Sequence, residues 1–195
     1  VIPRSLKASR RAVLGAGAFG ALAVPTVSGL AAWRWRHGEA RVLLHDPALE
    51  AGRRFADAGK AQGLAPRAIE GDRVRLTRDV LAARPALVAG VSRHADLLLI
   101  ADVAAEAGYV LAARLDGRGR QCSGGECRPG WNALGRVAKA AGHGWTEALA
   151  AYAADPRGAM PAMASAATAR PDAGLVFGWV LVPKGWGRQS SSSLR

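Results

Sequence analysis

The chain reads as an α/β sandwich of three layers. A mainly parallel sheet of four or five strands, in flavodoxin-like or Rossmann-like order, carries helices on both faces and is preceded by an N-terminal apolar segment. Three observations predict this. From residue 40 onward, short apolar runs alternate with amphipathic stretches, the pattern of repeated strand–helix units. Two of the runs, PALVAGV (85–91) and AGLVFGWVLVPK (173–184), are almost continuously apolar. The first of these reads as a strand buried on both faces of a sheet. A length of 195 residues, half of them hydrophobic, is enough for one domain with a true core.

The elements follow in order. ARVLLHD (40–46) is a short apolar strand. PALEAGRRFADAGKAQG (47–63) is a helix with Pro47 in its first turn, Leu49, Phe55 and Ala56 on one face, and Gly63 as its stop. APRAIEG (65–71) is a weak strand. DRVRLTRDVLAAR (72–84) is an amphipathic helix with Asp72 as cap and Val74, Leu76, Val80 and Leu81 mostly inward. PALVAGV forms the third strand, and Ser92 caps a helix that runs to Gly108. YVLAARLDG (109–117) is the fourth strand. A cysteine-bearing loop follows, then a helix or helix pair over 131–154 interrupted at Gly142-His143-Gly144. The final strand arrives after a long Ala/Pro/Met-rich excursion and is expected antiparallel at a sheet edge. Residues 41–187 thus form a single α/β domain, 33–40 a linker, and the serine-rich 188–195 a disordered tail.

The leader, residues 1–32, answers a different question. Ser9-Arg10-Arg11-Ala12-Val13-Leu14 resembles the twin-arginine (Tat) export signal: a small polar residue, two arginines, a variable residue and two hydrophobic ones. Val13 stands where phenylalanine is usual, and Gly15 where lysine is frequent. The resemblance covers the leader alone. It implies export by the Tat translocase, with Arg10 and Arg11 as the signal, and a periplasmic location. The residues agree, since a basic region precedes a soft apolar run broken at Pro25. Gly29-Leu30-Ala31 offers a small-x-small cleavage site. The competing reading is a retained anchor in the inner membrane over residues 12–32, whose 21 uncharged residues just reach across a bilayer.

Charge and cysteines narrow the function classes. The formal net charge is +12. The leader holds four basic residues (Arg4, Lys7, Arg10 and Arg11) and no acid, so the remainder keeps 23 basic against 15 acidic residues. These are scattered rather than clustered, and no nucleic-acid partner is expected. Cys122 and Cys127 are the two cysteines. In an oxidising compartment they are expected to pair as a disulfide closing a Gly-rich loop.

Candidate chemistry is sparse. In α/β sheets ligands bind beyond the carboxyl ends of the strands, where the strand order reverses. For order 2-1-3-4 that point falls between the first and third strands, bringing His45 and Asp46 beside Ser92, Arg93 and His94. Ser92 and its helix amides can hold an anion with Arg93 adding charge, and the histidines can exchange protons. Gly90-Val91-Ser92-Arg93-His94 begins like a nucleophile elbow but has His94 where glycine is needed. GAGAFG (15–20) matches a dinucleotide fingerprint in spelling only, with no strand before it. No P-loop, H-E-x-x-H or metal constellation occurs, and no cofactor or metal is expected. The expectation is therefore an exported, non-catalytic protein that binds a small anionic ligand or a partner at this edge. The alternatives are an accessory subunit or maturation factor of an exported oxidoreductase, docking through its basic cysteine loop and tryptophans, and a small serine hydrolase using Ser92.

Overall fold

The computed structural model describes residues 40–117, 134, 138, 141–156, 172 and 174–185. Five strands form one mixed sheet: β1 (Arg41–His45), β2 (Arg67–Ala68), β3 (Leu87–Arg93), β4 (Tyr109–Asp116) and β5 (Val176–Pro183). Four helices are bounded among the described residues: α1 (Glu50–Ala61), α2 (Arg73–Ala82), α3 (His94–Glu106) and α4 (Trp145–Ala154), the last entered through a 3₁₀ turn at Gly142–Gly144. No helix among the described residues is long and apolar enough to cross a membrane. The twin-arginine pair Arg10 and Arg11, the leader and both cysteines, Cys122 and Cys127, lie outside the described residues.

Local chemistry explains most boundaries. Asp72 caps α2, its carboxylate accepting from the amides of Val74 and Arg75 at 2.8 and 3.1 Å. Gly63, at φ +76°, turns the chain out of α1. Pro47 precedes α1 rather than joining its first turn, because Asp46 folds back locally. The Asp46 Oδ1 accepts from the Ala48 amide at 2.9 Å, and its carbonyl accepts from the Leu49 amide at 3.2 Å. Ser92 does not cap α3. Strand β3 continues through Arg93, the N-cap is Arg93, and no side chain caps this helix. Pairing with β5 extends to Arg93 and holds both residues extended.

The strand order is β2-β1-β3-β5-β4. β1 pairs in parallel with β2 and with β3, so the reversal of order between β1 and β3 is present. Beyond β3 the sheet departs from a doubly wound progression and is mixed rather than mainly parallel, two of its four pairings being antiparallel. β5 is antiparallel to both β3 and β4 and lies between them. The last strand is thus antiparallel but internal, not at an edge. All eight of its residues are buried, as the unbroken apolar run VFGWVLV requires.

Two cores fill the faces. Leu43, Phe55, Leu87, Val91, Leu115, Trp145 and Leu149 pack between the sheet and α1 with α4. Leu44, Val80, Val88, Leu97, Ile100, Phe177 and Trp179 pack between the sheet and α2 with α3. Arg54 of α1 and Glu147 of α4 join the first pair of helices with two hydrogen bonds at 2.8 and 2.9 Å, and Arg54 also donates to the His143 carbonyl at 2.7 Å. Arg73 and Asp96 join the second pair at 2.8 Å. On the second face Gly90 lies opposite Trp179 in register. A Cβ at Gly90 would stand 2.6 Å from Trp179 Cε2, so the indole can cross the sheet here only because the position is glycine.

Candidate functional site at the carboxyl edge of the sheet

The carboxyl ends of β1 and β3 are neighbours, with His45 in register with Val91. Asp46 follows β1, and its amide donates to the Val91 carbonyl at 2.9 Å. This fixes the buried Asp46 carboxylate beside β3, where Arg93 Nε stands 3.8 Å from its Oδ2. That separation exceeds a hydrogen bond, and the Arg93 side chain remains 57 % exposed. Asp46 and Arg93 are therefore brought together as the strand order predicts.

The remaining predicted residues separate. Ser92 is 0 % exposed. Its hydroxyl accepts from Trp179 Nε1 at 3.0 Å and donates to the Arg93 carbonyl at 3.1 Å. It belongs to the core as the partner of an indole N–H, out of reach of a ligand, and it is neither an exposed nucleophile nor a helix cap. His45 alternates with Leu44 and so lies on the face of Leu43 and α1. His94 lies toward the opposite face, its ring 5.1 Å from that of Phe177 at an interplanar angle of 48°. The two histidines do not share one mouth. His45 Nδ1 is buried without a hydrogen-bond partner among the described residues. Burial pushes its pKa below the ordinary 6.5, Lys60 adds to that, and Asp46, Asp57 and Glu70 oppose it.

The helices that follow β1 and β3 both begin at this edge, and they differ. The first amides of α1 are taken by a distant carboxylate. Asp172 Oδ1 accepts from Glu50 N–H at 2.7 Å and Oδ2 from Ala51 N–H at 2.9 Å. The place where an α/β sheet ordinarily offers helix amides to an anion is filled here by the chain's own aspartate. Sequence reasoning missed Asp172, since no local signal links it to α1 across some 120 positions. The start of α3, by contrast, carries no side-chain cap, and Arg93 and His94 flank it. Arg114 of β4 places its guanidinium carbon 5.1 Å from the centre of the Phe177 ring, a second cation near this end of the sheet. Sequence reasoning passed over it as an interior strand position.

No group of three or more His, Cys, Asp or Glu among the described residues is arranged to hold a metal. The arrangement offers charge and hydrogen-bond donors for a small anion and no assembled nucleophile–base pair. Comparison with protein-family models, curated proteins and solved structures finds no match for this chain.

Proposed function

We propose that this chain is an exported, periplasmic α/β binding protein that takes a small anion, without catalysis, at the carboxyl edge of its sheet. The flavodoxin-like placement of a ligand at the reversal between β1 and β3 is part of the proposal. One observation carries the binding reading. Arg93 is a largely exposed guanidinium, loosely held by Asp46 at 3.8 Å, at the start of α3, where no side chain caps the helix and the His94 amide alone is taken, by the Leu175 carbonyl at 3.1 Å. Helix amides and a neighbouring arginine together favour an anion. Because Asp172 already satisfies α1, the ligand belongs at α3. The export reading rests on Ser9-Arg10-Arg11 before the apolar leader.

Thermal melts with phosphate, sulfate and acetate at moderate ionic strength test it. A site-bound anion stabilises the fold by about 2.7 kcal/mol at a hundredfold excess over its dissociation constant. Arg93→Ala should lose most of that response. Arg78→Ala, which removes an exposed arginine from α2, should keep it. Equal responses in the two variants would reduce the effect to diffuse attraction by a basic protein, which salt screens, and would end the proposal.

A further inference from the structure

His45 closes β1 half-buried, and its Nδ1 is buried with no hydrogen-bond partner among the described residues. A neutral ring tolerates this. An imidazolium does not, because both of its nitrogens then donate. The charged groups nearby leave that proton without an acceptor. Asp46 already takes the Ala48 amide on Oδ1 and faces Arg93 of β3 with Oδ2. Asp57 of α1 is paired with Lys60 at 3.1 Å, and Glu70, after β2, is exposed. On α4, Glu147 is held by Arg54. Burial disfavours charge on the ring, and Lys60 adds to that.

The two sides of β1 are held unequally. Toward β3 it is registered over five positions, Arg41 to His45 against Leu87 to Val91. Toward β2 it is registered over two, Leu44 and His45, with one further bond from the Ile69 amide to the His45 carbonyl at 2.7 Å. β2 ends the sheet. Its segment, 64–70, lies between Gly63 at φ +76° and Gly71 at φ +65°. Both glycines have open space where a side chain would stand, and glycine passes between backbone regions at little steric cost. The segment is therefore hinged at both ends. Ile69, buried beside Leu44 and Val80, anchors it.

We infer that protonation of His45 releases the β2 edge of the sheet, the segment between Gly63 and Gly71 swinging off β1 while β3, β5 and β4 stay paired. With that segment lifted, the ring reaches water and takes its proton at ordinary affinity. Proton uptake by the open form then favours opening as pH falls below about 6.5. The outer edge of β1 at Leu44 and His45 is bared by the same movement. This device uses neither the Arg93 guanidinium nor α3, so it stands or falls apart from the anion site proposed above.

Amide hydrogen exchange of the full chain, followed by NMR between pH 5 and 7.5 with intrinsic rates divided out, tests it. The Ile69 amide reports the β2 edge, and the Val180 amide, in the centre of β5, reports global unfolding. Protection at Ile69 should fall between pH 7.5 and 5, by at most about 30-fold, the limit for a group that titrates at its ordinary value only in the open form. Ile69 should also be less protected than Val180 at each pH and depend less on added urea, the mark of a local opening. His45→Gln should abolish the fall at Ile69, and Glu70→Gln should keep it. Constant protection at Ile69 in the wild type overturns the inference. So does a fall with the protection and urea dependence of Val180, which is global unfolding. A fall that survives His45→Gln, or that Glu70→Gln removes, assigns the effect to a carboxylate and overturns it as well. The wild-type urea comparison and Glu70→Gln decide the matter should His45→Gln fail to fold.

Discussion

Replacing Ser92 by alanine distinguishes a core residue from a surface one. The Trp179 indole is fully buried and its N–H donates to the Ser92 hydroxyl at 3.0 Å. Removing that acceptor strands a buried donor, which costs about 1–3 kcal/mol. Some of the loss is recovered because the hydroxyl itself no longer needs burial. In a domain of this size that corresponds to a fall in melting temperature of roughly 3–10 °C. Trp179→Phe deletes the donor and leaves a smaller ring across Gly90, so it is destabilising for a second reason, a cavity. The double variant isolates the bond. If the two groups act through it, the double variant should be more stable than the sum of the single losses implies, with a coupling of about 1 kcal/mol. The assay is urea unfolding followed by tryptophan fluorescence, checked by circular dichroism because one variant removes a fluorophore. A Ser92→Ala loss below about 0.5 kcal/mol, the range of ordinary surface substitutions, would refute the assignment of Ser92 to the core.

Three further outcomes are expected. Arg54→Ala should cost about 1–2 kcal/mol, since it leaves the mostly buried Glu147 without its bidentate partner; Arg54→Lys should recover only part in the same unfolding assay, because an ammonium cannot reproduce the fork. Stability should fall as pH drops below about 6.5 and flatten beneath the lower folded pKa of His45, because the unfolded chain takes up the proton first; His45→Gln should remove that part of the slope in melts between pH 5 and 8. Changing Arg10 and Arg11 together to lysine should leave the protein in the cytoplasm on cell fractionation, and normal periplasmic recovery would end the twin-arginine reading.

Much of the local structure was legible from the chain. Asp72 before an amphipathic stretch marks α2, Gly63 ends α1, and the runs around Leu43, Val88 and Val180 mark strands, because capping, positive φ and apolar continuity act within a few residues of where they are written. The adjacency of β1 and β3 also followed, since the alternation of strands and helices leaves few ways to connect them. The meeting of Asp46 with Arg93 is a consequence of that adjacency.

What the chain by itself determined, then, is the set of elements and the class of sandwich they build. Tertiary structure alone decided which polar groups stay exposed at the carboxyl edge. Ser92 looks like a helix cap until β5 enters beside β3 and places Trp179 over Gly90, turning its hydroxyl into a buried acceptor. His45 and His94 look like neighbours until the pleat sends them to opposite faces. Asp172 reads as a loop residue until the chain returns and sets its carboxylate on the first amides of α1. Each of these depends on a contact between residues some fifty to more than a hundred positions apart or on the parity of a strand register. Such features are fixed by how whole layers pack, and a single shift in register would reverse those that rest on strand parity.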